Sequence, residues 1–233
     1  MTLSYVLVHG AWHGAWCWRK VVPLLERAGH RAVAVTLTGQ GDRVHLASPA
    51  IDLSTHVQDV VATLEMEDLG DVVLVGHSYG GMVITGVADK AAPRLRRLVY
   101  LDALVPSDGQ CAFDLNSAQL RERFEREAAT TGEGYKVAPM STDLLGIADS
   151  AEAEWVRARL TPLPIGCFRE PVRAKAAQRI PSTFILCQRF GFQNTAQRCR
   201  AQGWPVLEID SGHDAMITAP DALAELLLGP SCG

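Results

Sequence analysis

No apolar run in this chain of 233 residues approaches the ~20 consecutive residues needed to cross a bilayer as a helix. No block of like charge stands behind the net charge of −4, which argues against a nucleic-acid groove or an acidic membrane surface as partner. The six cysteines (Cys17, Cys111, Cys167, Cys187, Cys199 and Cys232) include no C-x-x-C pair and show no pairing rhythm. They read as free thiols of a reducing compartment. No basic leader with a cleavage site precedes the first apolar segment, so the expected location is cytoplasmic. Internal repeats and low-complexity segments are also missing.

What remains is ordinary globular composition, 48% hydrophobic and 21% charged, over a length that suits one sizeable core. Apolar, β-rich runs recur at Tyr5–Val8, Ala32–Val35, Val72–Val75, Leu98–Leu101, Thr183–Cys187 and Val206–Ile209. Most are continuous rather than alternating, the pattern of parallel strands covered on both faces. Helical patterns separate most of them. Val57, Val60, Val61 and Leu64 form one apolar stripe, with Ser54 as the expected N-cap, and a last helix starts near Pro220. Alternating strands and helices predict a doubly wound, mainly parallel sheet. From Pro106 to about Arg179 no strand is expected; helical segments such as Ser117–Ala128 and Ala151–Leu160 read as a cap inserted after the strand ending near Asp102.

Chemistry concentrates at Gly76-His77-Ser78-Tyr79-Gly80, which follows the run Asp71–Val75 and precedes a helical segment from Gly81 to Lys90. Strand, Gly-x-Ser-x-Gly, helix is the order in which this motif means a nucleophile elbow, with the serine hydroxyl pushed out above the strand ends. A serine nucleophile needs a base. The candidate is His213, in the loop Ser211-Gly212-His213-Asp214 after the run Val206–Ile209. Backbone N–H groups for an oxyanion would come from Tyr79 and from the loop His9-Gly10-Ala11-Trp12. His9 and His13 lack the further ligands that a zinc site requires, and no metal or cofactor is expected.

At these residues the chain resembles the α/β-hydrolases. More narrowly, it is similar to the small plant methylesterase and hydroxynitrile lyase family and its bacterial esterase relatives. The likeness runs through Val6–Trp16, Leu37–Gly41, Gly76–Met82, Tyr100–Ala103, Leu160–Pro162 and Gly212–Met216. It implies an α/β-hydrolase fold, with core residues 1–105 and 180–233 and a helical cap at 106–179. It also implies Ser78 as nucleophile, His213 as base, and the N–H groups of Ala11 and Tyr79 as oxyanion hole. Hydroxynitrile lyases of the family carry a threonine at the place of Ala11 and a lysine at the place of Asp214, so lyase activity is not expected. One departure is serious. The family's triad aspartate follows the strand matching Phe184–Cys187, and Phe190 stands in its place. Our replacement is Asp102, at the preceding strand end; Asp210 and Asp214 share the histidine's own loop and rank lower.

Trp12, His9, Trp155 and Phe168 are the expected pocket residues, with Phe113, Leu144, Leu145 and Ile165 as further apolar candidates. No ring of Arg or Lys marks a phosphate or CoA site, and Arg157, Arg159, Arg169 and Arg173 read as a solvated cap surface. The leading reading is a cofactor-free serine hydrolase of a small apolar or aromatic carboxylic ester. Two alternatives stay open. One is a hydrolase-fold enzyme recruited for cyclisation, C–C cleavage or thioester release; the other is a ligand-binding protein with little catalysis. The only partner called for is a small-molecule substrate. A homodimer is left open.

Overall fold

The computed structural model describes residues 2–148 and 151–233. Its strands in chain order are β1 (Ser4–Val8), β2 (Arg31–Val35), β3 (Val72–His77), β4 (Leu95–Leu101), β5 (Lys136–Val137), β6 (Leu163–Pro164), β7 (Ser182–Cys187) and β8 (Val206–Ile209). Six of them form one parallel sheet in the order β2-β1-β3-β4-β7-β8. The expected runs were continuous because both faces are covered. Val6, Val8, Leu74, Leu98, Tyr100 and Phe184 join one core layer. The residues between them, Leu7, Val73, Val75, Val99, Leu101 and Ile185, join the layer on the opposite face. Burying each such side chain contributes about 1.5–3 kcal/mol. That reserve holds the strained turns at the strand ends described below. Among the described residues no helix is long and apolar enough to cross a membrane, and the six cysteines are unpaired.

The structure corrects three expectations. The stripe helix spans Leu53–Met66 and is capped by Asp52, not Ser54: the extended Asp52 backbone lets its carboxylate accept from Thr55 N at 2.9 Å. Ser54 lies inside the first turn and binds the Glu170 carboxylate of the cap. β4 starts three residues early, at Leu95, because its polar entry Arg96-Arg97 still pairs with β3 across a bulge at Val72/Val73. The stretch between β4 and β7, of which residues 149–150 lie outside the described residues, is helical at Ala118–Thr130, Ala151–Arg157 and Gly166–Arg169. It also contains the β5–β6 pair, antiparallel and two residues per strand, too short to leave any periodicity in the sequence.

Candidate active site

β3 ends at His77 and the next helix begins at Gly80, so Ser78 must turn the chain within two residues. It does so at φ +53°, in the left-handed region that L side chains rarely adopt. The turn also demands close packing. A Cβ on Gly81 would stand 2.1 Å from the carbonyl oxygen of Leu104, and one on Gly76 would stand 2.6 Å from that of Gly80. The neighbouring strand exits alike: Asp102, one residue past β4, has φ +42°, and its N–H donates to Ile185 O of β7 at 2.7 Å. Trp12, in the loop after β1, is a third residue at positive φ (+69°). Three strained residues at adjoining strand ends are the usual mark of a functional site.

The His213 loop folds back over these ends. His213 Nδ1 lies 2.6 Å from Asp102 Oδ2, and the second carboxylate oxygen accepts from Cys187 N at 3.1 Å. Asp102 is fully buried. Burial pushes its carboxyl above the usual range, opposed by the contact with His213 and the Cys187 N–H. With Nδ1 committed, Nε2 is the ring nitrogen left for the cavity. Ser78 and His213 line the same cavity, but the Ser78 hydroxyl forms no hydrogen bond among the described residues. Such contacts often close only once substrate is bound. The N–H groups of Ala11 and Tyr79, on the same cavity, likewise have no acceptor among the described residues.

Phe190 stands over the histidine. Its ring stacks on His213 at 4.0 Å between centroids and 22° between planes, with Phe192 5.8 Å from the imidazole. A phenyl ring there shields a face of the imidazole and leaves the Nδ1 edge to Asp102. The other two carboxylates of the histidine loop are occupied elsewhere. Exposed Asp210 pairs with Arg189 at 2.7 Å, and buried Asp214 pairs with His13 at 3.0 Å.

The cavity has a volume of about 480 Å³. Of the residues named from the sequence, Trp12 and Phe168 line it, and His9 and Trp155 do not. His9 is buried, its Nδ1 facing Gly10 O at 2.7 Å and its Nε2 accepting from Leu37 N at 3.1 Å. Burial holds its pKa down at about 3, so it is a neutral strut beneath the loop. Trp155 is pinned between the Arg19 and Arg159 guanidinium groups, 3.6 and 4.0 Å from its ring centroid, and fastens the cap to the sheet layer. Of the further candidates, Leu145 lines the cavity, Phe113 stacks behind Phe168, and Leu144 is exposed. Phe124, Met140, Phe192 and Thr195 are lining residues that our sequence reading missed. The pair Phe190-x-Phe192 was the available signal. Among the described residues no group of three or more His, Cys, Asp or Glu side chains could hold a metal ion.

The family model described as "Alpha/beta hydrolase family" matches residues 5–226. A carbendazim hydrolyzing esterase of Nocardioides sp. (strain SG-4G) is 38% identical over 238 residues, covering 96% of this chain and 98% of the relative. Methylesterase 9 of Arabidopsis thaliana is 29% identical, with 96% of each chain covered. Among solved structures, an extracellular alpha/beta-hydrolase from a Paenibacillus species superposes with a TM-score of 0.86 at 26% identity, covering 97% of this chain and 98% of that one. That protein is described as sharing structural and functional homology with tobacco salicylic acid binding protein 2.

Proposed function

The chain belongs to the alpha/beta hydrolase family, and within it we propose a serine hydrolase of small apolar or aromatic carboxylic esters that works through an acyl-enzyme. The observation that carries this reading is the 2.6 Å contact between His213 and buried Asp102, behind a cavity that both His213 and Ser78 line. Asp102 accepts from the Nδ1–H of His213, which leaves the Nε2 lone pair to take the Ser78 proton. The Ser78 oxygen attacks the carbonyl carbon, and the N–H groups of Ala11 and Tyr79 receive the developing oxyanion. Collapse breaks the bond to the leaving oxygen, which departs as the alcohol with the proton from His213. Water then adds to the acyl-enzyme, giving a proton to Nε2, and the acid leaves as the Ser78 hydroxyl is restored.

The apolar lining by Trp12, Phe124, Met140 and Phe168 supports an apolar or aromatic substrate over a charged one. Esterase names among the relatives support the reaction class. The alternative of a recruited, non-hydrolytic reaction drew its motive from the acid missing at Phe190, and Asp102 supplies that acid from another strand. Lyase chemistry is disfavoured further, because Asp214 is buried against His13 and offers the cavity no cation. The test is intact-mass labelling by a fluorophosphonate together with turnover of p-nitrophenyl acetate. We expect one adduct and measurable turnover in the native protein, and neither with Ser78→Ala. Turnover surviving in Ser78→Ala removes Ser78 from the mechanism.

A further inference from the structure

Behind the proposed triad lies a second buried group of ionisable side chains that the mechanism does not use. His13, His77 and Asp214 are almost wholly excluded from solvent. His13 Nδ1 faces the carbonyl oxygen of Ala11 at 2.7 Å, and its Nε2 faces Asp214 Oδ2 at 3.0 Å. A carbonyl only accepts, and so does an ionised carboxylate, whereas a neutral imidazole carries a single N–H. Both contacts can be hydrogen bonds only if the pair holds one more proton than a neutral histidine beside a carboxylate.

The surroundings place that proton on His13. Burial lowers the His13 pKa, yet the charge and hydrogen bond of Asp214 outweigh it and the net shift is upward. Burial likewise raises Asp214, and the contacts with His13, His77 and His213 turn its net shift downward. Of the other ionisable groups that act on the pair, His9, Cys17 and Cys187 are neutral at pH 7, since burial lowers the pKa of the first and raises those of the thiols, and Asp102 and His213 face Asp214 from the neighbouring contact. His77 is neutral too, since burial lowers its pKa. Its Nε2–H donates to His213 O at 3.1 Å and stands 3.7 Å from Asp214 Oδ1, leaving Nδ1 without a hydrogen-bond partner among the described residues.

We propose that the His13 imidazolium and the Asp214 carboxylate are positioning residues, a buried strap that fixes the oxyanion loop against the loop carrying His213. The chain connectivity gives the strap its leverage. His13 grips the carbonyl of Ala11 across Trp12, whose φ is +69°, so it sets the backbone beside the Ala11 N–H. Asp214 is the next residue after His213, and its N–H donates to Leu145 O of the cap at 3.2 Å. One ion pair therefore ties the proposed oxyanion donor, the proposed base and the cap loop together. The kinetic part rests on the assignment of Ser78, His213 and Ala11 made above; the protonation state of His13 does not.

The two parts are separable by experiment. In protein with 15N-labelled histidine, long-range 1H–15N correlation at pH 7 should show both His13 ring nitrogens protonated, and only one in Asp214→Asn. A singly protonated His13 in the native protein overturns the proposal, whatever Ser78 does. With p-nitrophenyl acetate, Asp214→Asn should lower kcat on the order of 10²-fold, the scale of a small misplacement of reacting groups, with KM within about threefold. His13→Asn should do the same, and the double variant should lose no more than the worse single one. Folded single variants that keep native kcat, or losses that multiply in the double variant, overturn it. Should Asp214→Asn not fold, His13→Asn carries the kcat comparison alone and native kcat in it is refuting. Activity surviving in Ser78→Ala strikes the serine reading and leaves the histidine spectrum standing.

Discussion

Replacing Asp102 by asparagine changes one atom in a fully buried position and is predicted to remove most of the activity while sparing the fold. The carboxylate has two fixed partners: Oδ1 accepts from Cys187 N at 3.1 Å, and Oδ2 meets His213 Nδ1 at 2.6 Å. An amide in the same place must keep its oxygen toward the Cys187 N–H, because two donors cannot face each other. Its NH₂ then points at His213, whose Nδ1 must become the acceptor, and the ring proton moves to Nε2. The nitrogen meant to receive the Ser78 proton now carries one. In serine triads this tautomer error lowers kcat on the order of 10⁴-fold, or about 5 kcal/mol of transition-state stabilisation. The stability effect has the opposite sense. Burial raises the folded-state pKa of Asp102 above 3.8, so its contribution to stability is fully present below 3.8 and is lost as pH rises through the raised value. A neutral amide carries no such loss, and the variant's Tm at pH 7 should equal or exceed the native one. The assay pairs the rate of fluorophosphonate labelling with a thermal melt. Labelling within tenfold of native at an unchanged Tm would refute the argument and free Asp102 from any part in the relay.

Three further outcomes follow from the same geometry. Phe190→Ala removes a ring stacked 4.0 Å from His213, an interaction of about 0.5–1.5 kcal/mol; kcat/KM for p-nitrophenyl acetate should fall by up to about tenfold, and an unchanged value would show the stack to be incidental. Gly146→Ala places a side chain at φ +80° and a Cβ 2.5 Å from the Gly212 Cα, backbone against backbone beside His213; urea unfolding should show a loss of about 1–3 kcal/mol, and kcat should fall with it. The His13–Asp214 pair predicts a bell in stability against pH. Raised His13 contributes fully below 6.5 and loses that contribution as pH rises through its folded value, while lowered Asp214 contributes above 3.8 and loses it as pH falls through its own. The Tm difference between the native protein and Asp214→Asn should therefore be widest between 3.8 and 6.5, and a difference flat in pH would contradict the charged pair.

What the sequence disclosed, and what it hid, follows from range. The six sheet strands were legible because each is buried on two faces and reads as an unbroken apolar run. The elbow was legible because its glycines, serine and flanking elements follow one another directly along the chain, from Val72 to Ala91. His213 was legible by its place after the last strand. The cavity lining was not, because which side of a tryptophan faces a cavity is decided by chain that lies far away. Trp155 looked like a pocket residue and is instead held between Arg19 and Arg159. His9 adjoins the oxyanion loop in sequence, yet its ring turns to Leu37 beneath it. Asp214 is the plainest case: beside His213 it looked like a poor second choice of acid, and only the fold brings its partner His13 from 201 residues away.

The sheet order shows how Asp102, at the end of β4, comes to meet His213. Ser78 leaves β3, Asp102 leaves β4, Cys187 ends β7, and these strands are consecutive neighbours in the sheet. The His213 loop returns from β8 across all of them: Arg189 N donates to Ser211 O at 3.1 Å, and His77, at the end of β3, donates to His213 O. An imidazole stretched over three strand ends can be met at Nδ1 from either middle strand. On β4 the carboxylate is gripped from both sides, by the Cys187 N–H and by the imidazole, and it lies on the sheet side of the ring, outside the cavity lining. The β7 exit carries Phe190 and Phe192, which do line the cavity. In the mechanism we propose, taking the acid from β4 keeps the relay and leaves an apolar wall beside Ser78. Under the same proposal Phe190, standing where the resemblance expects the acid, is one of the residues that shape which esters can approach Ser78.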